Sequence, residues 1–188
     1  MNEASNFLVL SIKLFEYYKS LADKSMALLN DEQIHWSPNG QANSIAIIVH
    51  HISGNMLSRF TDFLTSDGEK PWRNRDREFE DAYASKTAML VDWEKGWACL
   101  FENIKALVPS DCLSTVYIRN EGHTVMEAIG RQLAHYAYHI GQIVQIVKSM
   151  EGVLWSSLTI PKGGSQQFND TKFSSAPTTQ FFTDGMKE

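Results

Sequence analysis

Four separate stretches of this chain place apolar residues at steps of three and four, which confines the fold to packed helices that each bury one stripe. The first, from Asn2 to about Leu29, aligns Leu8, Ile12, Phe15, Tyr18, Ala22, Met26 and Leu29. The second starts at Asn43 or Ser44, either of which can cap it, and its stripe from Ile45 to Phe63 predicts a helix to about Thr65. The third, Phe79 to Val108, steps through Tyr83, Leu90, Trp93, Trp97, Leu100, Ile104 and Leu107 before Pro109. Trp93 and Trp97 read as core, the commoner use of an aromatic pair at this spacing. The fourth opens on the capping box Thr124-Val-Met-Glu127, buries Val125, Ile129, Leu133, Tyr136, Ile140, Ile143 and Val147, and should stop near Gly152.

The connections carry information too. Ser66 to Asp76, with Pro71 and Trp72 inside it, is long enough for a crossover between helices rather than a tight turn. Leu113–Ile118 favours extended chain and Asn120-Glu-Gly122 a turn, which predicts a short extended connection or small hairpin. After Gly152 comes a tail of another character. Its Lys162-Gly-Gly-Ser165 amides could hold an anion, while the plainer reading has Ile160 and Phe168 tying it across the bundle. Beyond Asn169 the Thr, Ser, Pro and Gly content predicts poor order. The expected architecture is all-α, a single four-helix-bundle domain over residues 1–188 with an extended tail from about residue 153.

The fourth helix also carries the chemistry. In Arg131-Gln-Leu-Ala-His135-Tyr-Ala-Tyr-His139-Ile-Gly-Gln142 two histidines four residues apart share one helix face, at the border of its apolar stripe. Two imidazoles so placed can reach one metal ion. The same spacing arises on ordinary amphipathic helices, so a third ligand has to decide. The two cysteines, Cys99 and Cys112, form no Cys-x-x-Cys, which leaves nitrogen or oxygen as protein ligands. His50 and His51 flank the stripe of the second helix on opposite sides, and periodicity does not choose between them. The ridge Ser44, Ile48, His51, Asn55 favours His51 by setting an amide one turn away. Three protein nitrogens leave a coordination position for water or substrate, as catalytic sites do, and imidazole sets suit zinc, nickel, copper and iron alike.

The pattern Asn43-Ser-Ile-Ala…His51, then Arg131-Gln-Leu-Ala-His135-Tyr-Ala-Tyr-His139-Ile-Gly-Gln142-Ile, resembles the DinB/YfiT-like superfamily of metal-dependent enzymes across essentially the whole chain. Within it, Gly54-Asn-Met-Leu-Ser-Arg59, Pro71-Trp-Arg-Asn-Arg75 and Ile160-Pro-Lys-Gly-Gly-Ser165 are similar to an uncharacterised bacterial branch. The resemblance implies an up-down-down-up bundle with a long crossover between helices 2 and 3. It also implies a divalent metal, usually zinc or nickel, held by His51, His135 and His139.

On that resemblance, the expected function is a metal-dependent thiol S-transferase or hydrolase acting on a small electrophile, with a low-molecular-weight thiol among its substrates. The alternative is a non-catalytic metal-binding stress-response or interaction protein. Asn55 and Gln132, within a turn of ligands, are candidate substrate or outer-sphere contacts, and His123, before the capping box, is a candidate substrate contact. Arg73, Arg75 and Lys162 could draw an anionic substrate, with solvated surface charge as the plainer use of each. A zincin is excluded, since Tyr136 stands where its glutamate base would be, and no other carboxylate offers itself as base by spacing. The formal net charge of -5 and the lack of a basic stripe argue against nucleic acid. No apolar run reaches membrane-spanning length, and the first residues lack a signal-peptide pattern, so the expected location is cytoplasmic. A homodimer through an apolar bundle face is the expected assembly.

Overall fold

The computed structural model describes residues 2–185; Met1 and residues 186–188, included in the expected domain and tail, lie outside the described residues. The chain is mostly helical, with four long helices around one core and a small two-stranded sheet. Helix α1 is Glu3–Ala27, capped by Asn2, whose Oδ1 accepts from the Ser5 amide at 2.8 Å. Helix α2 is Ile45–Phe60, capped by Ser44 through the Ile47 amide. Helix α3 is Lys86–Lys105, capped by Ser85 through the Ala88 amide. Helix α4 is Val125–Glu151, opened by the expected box: Thr124 Oγ1 accepts from the Glu127 amide, and the Glu127 carboxylate accepts from the Thr124 amide at 2.7 Å. Gly152 ends it at a φ of 54, a conformation that costs glycine little.

Helix α1 packs chiefly on α4, and α2 on α3. Their shared core holds Phe15, Ile52, Phe60, Trp93, Trp97 and Tyr136, each fully buried. The two tryptophans are core, as their spacing predicts. Trp97 Nε1 is buried without a partner among the described residues, and the side chain remains there because its burial is worth roughly 4–6 kcal/mol. That exceeds the cost of one unmade hydrogen bond, about 1–3 kcal/mol. Trp93 avoids the cost by donating to Asp23 Oδ1 at 2.7 Å.

Two helix ends differ from the periodicity. Helix α2 stops five residues before Thr65, because Asp62 turns to a φ of 50 and its carbonyl takes the Thr65 and Ser66 amides. Phe63 continues the apolar stripe as a loop residue, its ring 5.2 Å from that of Phe60. Helix α3 begins at Lys86 rather than Phe79. Phe79 instead closes a single 3-10 turn, Asp76–Phe79, and Tyr83 lies in the following coil with its hydroxyl on Asp92. Both residues are at least half-buried, so loop residues facing the same core imitate the helical step.

The expected extended connection is a hairpin, β1 (Thr115–Ile118) antiparallel to β2 (Glu121–Thr124), with Ile118 opposite Glu121. Its two turn residues, Arg119 and Asn120, take φ of 57 and 62, the type I′ geometry that matches strand twist. Behind it, the Asp67 carboxylate accepts both turn amides at 2.8 Å, and Gly68 donates to the Tyr117 carbonyl at 2.7 Å. The loop between α2 and α3 is thereby fastened to the hairpin.

The tail departs from expectation. Helix α5 (Ser165–Phe173) buries no residue, and Ile160 and Phe168 are exposed, so neither ties the tail down. The anchor lies beyond Asn169, in the stretch expected to be poorly ordered. Phe182 meets Tyr17 edge to face at 5.2 Å, Thr183 is buried, and Asp184 pairs with Lys13 of α1. Among the described residues, no helix is long and apolar enough to cross a membrane.

Candidate metal centre

Helices α2 and α4 bring His51, His135 and His139 together, with one ring nitrogen of each within 4.8 Å of the others. The His135 Nε2 stands 3.2 Å from His51 Nε2 and 3.1 Å from His139 Nε2. His51 and His139 are buried and His135 half-buried, so the cluster is dry on the core side and reachable on the other. His50 points elsewhere, its Nδ1 3.4 Å from the Glu80 carbonyl and its ring edge-on to Tyr83.

The outer nitrogens fix the inner ones. His51 Nδ1 lies 2.9 Å from Glu78 Oε2, and a carboxylate only accepts, so Nδ1 carries the proton and Nε2 a lone pair. His139 Nδ1 lies 2.8 Å from Gln142 Oε1, with the same result. Two lone pairs therefore converge on His135 Nε2, where a single proton can satisfy one of them and not both. A cation satisfies all three. Nitrogens around a tetrahedral ion with bonds of about 2.0–2.1 Å stand roughly 3.3 Å apart, so the residues fit a metal.

The electrostatics agree. Burial, then His139, His51 and the guanidiniums of Arg59 and Arg73, pushes His135 down to about 3. His139 is lowered as well, by burial first and against the opposing bond to Gln142. Both rings are neutral at physiological pH, the form that ligates a metal. Burial opposes ionisation of Glu78, but hydrogen bonds from Arg73 and His51 prevail and hold its carboxyl below the usual range. Arg73 grips that carboxylate with two nitrogens, Nε to Oε1 at 2.7 Å and Nη2 to Oε2 at 2.8 Å. With both oxygens engaged, Glu78 orients His51 and is not a free base.

A cavity of about 280 Å³ opens against His51 and His135, and Asn55 and Gln132 line it beside them. Asn55 is held by the Tyr136 hydroxyl, which donates to its Oδ1 at 2.9 Å. Gln132 is buried, its Oε1 without a partner among the described residues. Of the other residues singled out in the sequence, Arg73 reaches this cavity with a buried side chain, not as a solvated charge. His123 sits on β2 with Nε2 3.5 Å from Arg131, outside the lining. Lys162 is exposed on the tail and lines no part of it. Sequence reasoning missed Glu78 and gave Gln142 no role. The second had a signal, an amide at i+3 from His139 on one helix face.

Fold and site together define a helical protein with three clustered histidines close enough to hold a metal ion. A family model described as "Protein of unknown function (DUF1572)" matches residues 2–164, and the chain belongs to that family. The match includes every residue of the cluster and its cavity. No curated protein and no solved structure matches the chain.

Proposed function

We propose that this protein is a metal-dependent enzyme of the DinB/YfiT-like kind, a thiol S-transferase or hydrolase acting on a small electrophile, with zinc or nickel at His51, His135 and His139. The observation that carries the metal is the pair of Nε2 lone pairs, preset by Glu78 and Gln142, that meet at His135. The long crossover between α2 and α3 and the pairing of α1 with α4 support an up-down-down-up bundle. The cavity on the open side of the cluster supports turnover, because a purely structural site is closed by its fourth ligand.

A divalent ion bound there would lower the pKa of a coordinated thiol or water and supply a nucleophile near neutral pH. The chain's own groups do the rest. Glu78 and Gln142 hold two imidazoles in the ligating tautomer, and Tyr136 fixes the Asn55 amide at the cavity wall. In the transfer, sulfur bonds to the electrophilic carbon, the leaving group departs with the electron pair, and the thiol proton passes to solvent.

The test is metal analysis of protein purified without a histidine tag, then conjugation of monochlorobimane with several low-molecular-weight thiols. One equivalent of bound metal and metal-dependent conjugation are expected. Bound metal without conjugation or hydrolytic turnover would turn the assignment to a non-catalytic metal-binding protein.

A further inference from the structure

The cavity beside the histidines is walled by five arginines, Arg59, Arg73, Arg75, Arg119 and Arg131, in a chain whose formal net charge is -5. They come from three separate segments: α2, the crossover with the hairpin turn fastened to it, and α4. Two carboxylates answer them. Glu69 Oε2 is shared by Arg59, Arg73 and Arg119 at 3.0–3.3 Å, and Glu78 is taken by Arg73 and His51. Arg75 and Arg131 have no ion pair among the described residues. Arg75 stacks over Phe79 at 5.0 Å, and Arg131 reaches only the His123 ring. Two lining residues also carry a buried polar atom without a partner among the described residues, Arg59 at Nε and Gln132 at Oε1.

Concentrating like charge around a small concavity is unfavourable unless something of opposite sign enters it. We propose that this cavity is an anion subsite, which takes a small substrate by a carboxylate or phosphate group held by Arg75 and Arg131. The planar guanidinium fork suits both groups. At about 280 Å³ the space is at the small end for ligand pockets, which limits the substrate to a compact molecule. This assignment rests on the proposed enzymatic reading for what the anion is presented to; the arginine wall itself needs no metal.

Calorimetric titration of inorganic phosphate and of succinate into the full-length, metal-free protein at low salt is the test. Binding of at least one is expected, phosphate alone assigning a phosphoryl group and succinate alone a carboxylate. Arg75→Gln and Arg131→Gln, both at exposed positions, should each weaken it about tenfold, the loss of one charge-assisted contact. Both variants should keep wild-type melting curves and wild-type zinc stoichiometry, and His139→Ala should keep the anion. No binding to wild type, or binding unchanged in both arginine variants, overturns the subsite. Binding that vanishes in His139→Ala overturns the arginine assignment and leaves the histidines as the anion's site. Anion binding in a protein that takes up no zinc would sink the metal reading alone.

Discussion

Replacing Gly54 by alanine adds one methyl group and should disable the metal centre from behind. The new Cβ would stand 2.6 Å from Glu78 Oε1, 3.0 Å from its Cδ and 3.3 Å from its Cγ. Ordinary contact begins near 3.4 Å, so the carboxylate has to retreat by most of an ångström. A side-chain tip normally yields cheaply. This one is held by Arg73 at 2.7 and 2.8 Å and by His51 at 2.9 Å, and it cannot move without lengthening bonds to a buried guanidinium and a buried imidazole. Loosening such an outer partner of a ligating histidine costs about 10–100-fold in metal affinity, and disturbing the buried pair costs about 1–3 kcal/mol of stability. Alanine's better helix propensity returns up to about 1 kcal/mol. Gly141→Ala is the control, on the ligand helix with nothing within 4 Å of its added Cβ, and should stabilise by about 0.5–1 kcal/mol with affinity unchanged. Zinc titration against a chromophoric chelator and urea unfolding read both quantities. A Gly54→Ala protein that binds zinc like wild type would refute the claim that Glu78 sets the His51 tautomer.

His139→Ala should lower zinc affinity by orders of magnitude and leave the circular dichroism spectrum intact, since α4 packs through Ile140 and Ile143; unfolding on that change would mark the metal as structural. His51→Ala should lose metal while His50→Ala retains it, and metal analysis giving the reverse would mean the wrong neighbour had been assigned. The metal-free protein should lose stability as pH falls from 6.5 toward 4.5, because the unfolded state takes up protons that His135 and His139 refuse when folded. Glu78 adds loss in the same direction as pH approaches and passes its unfolded value of 4.5, so urea midpoints in the upper part of that window report His135 and His139. A flat profile there, or no change in slope on His135→Gln, would contradict their depressed values.

The helical framework was legible because it is written in neighbours three and four residues apart. Thr124 caps the helix it was expected to open, Ser44 is the one of Asn43 and Ser44 that caps α2, and His135 and His139 share a face because four residues make about one turn. What failed was the point where helix gives way to loop. Phe79 and Tyr83 keep the helical step while lying outside α3, since periodicity records burial and not hydrogen bonding. Glu78 was invisible for a different reason. Its partner His51 is 27 residues away on α2, across the loop that follows it, and no local pattern marks a carboxylate that will be buried. Arg73 suffered the same way: in Pro-Trp-Arg-Asn-Arg it looks like solvated charge, and only the folded loop between α2 and α3 shows which arginine turns inward.

The carboxylate of Asp67 gathers both turn amides of the hairpin. Through it, the segment bearing Arg73 and Glu78 hangs from a rigid bracket instead of floating over the helices. The tuning of the histidines is thus partly set more than ten residues upstream of Glu78, at a side chain whose own bonds go to backbone amides, and wear at that hinge-pin would be felt first as imprecision in the imidazoles.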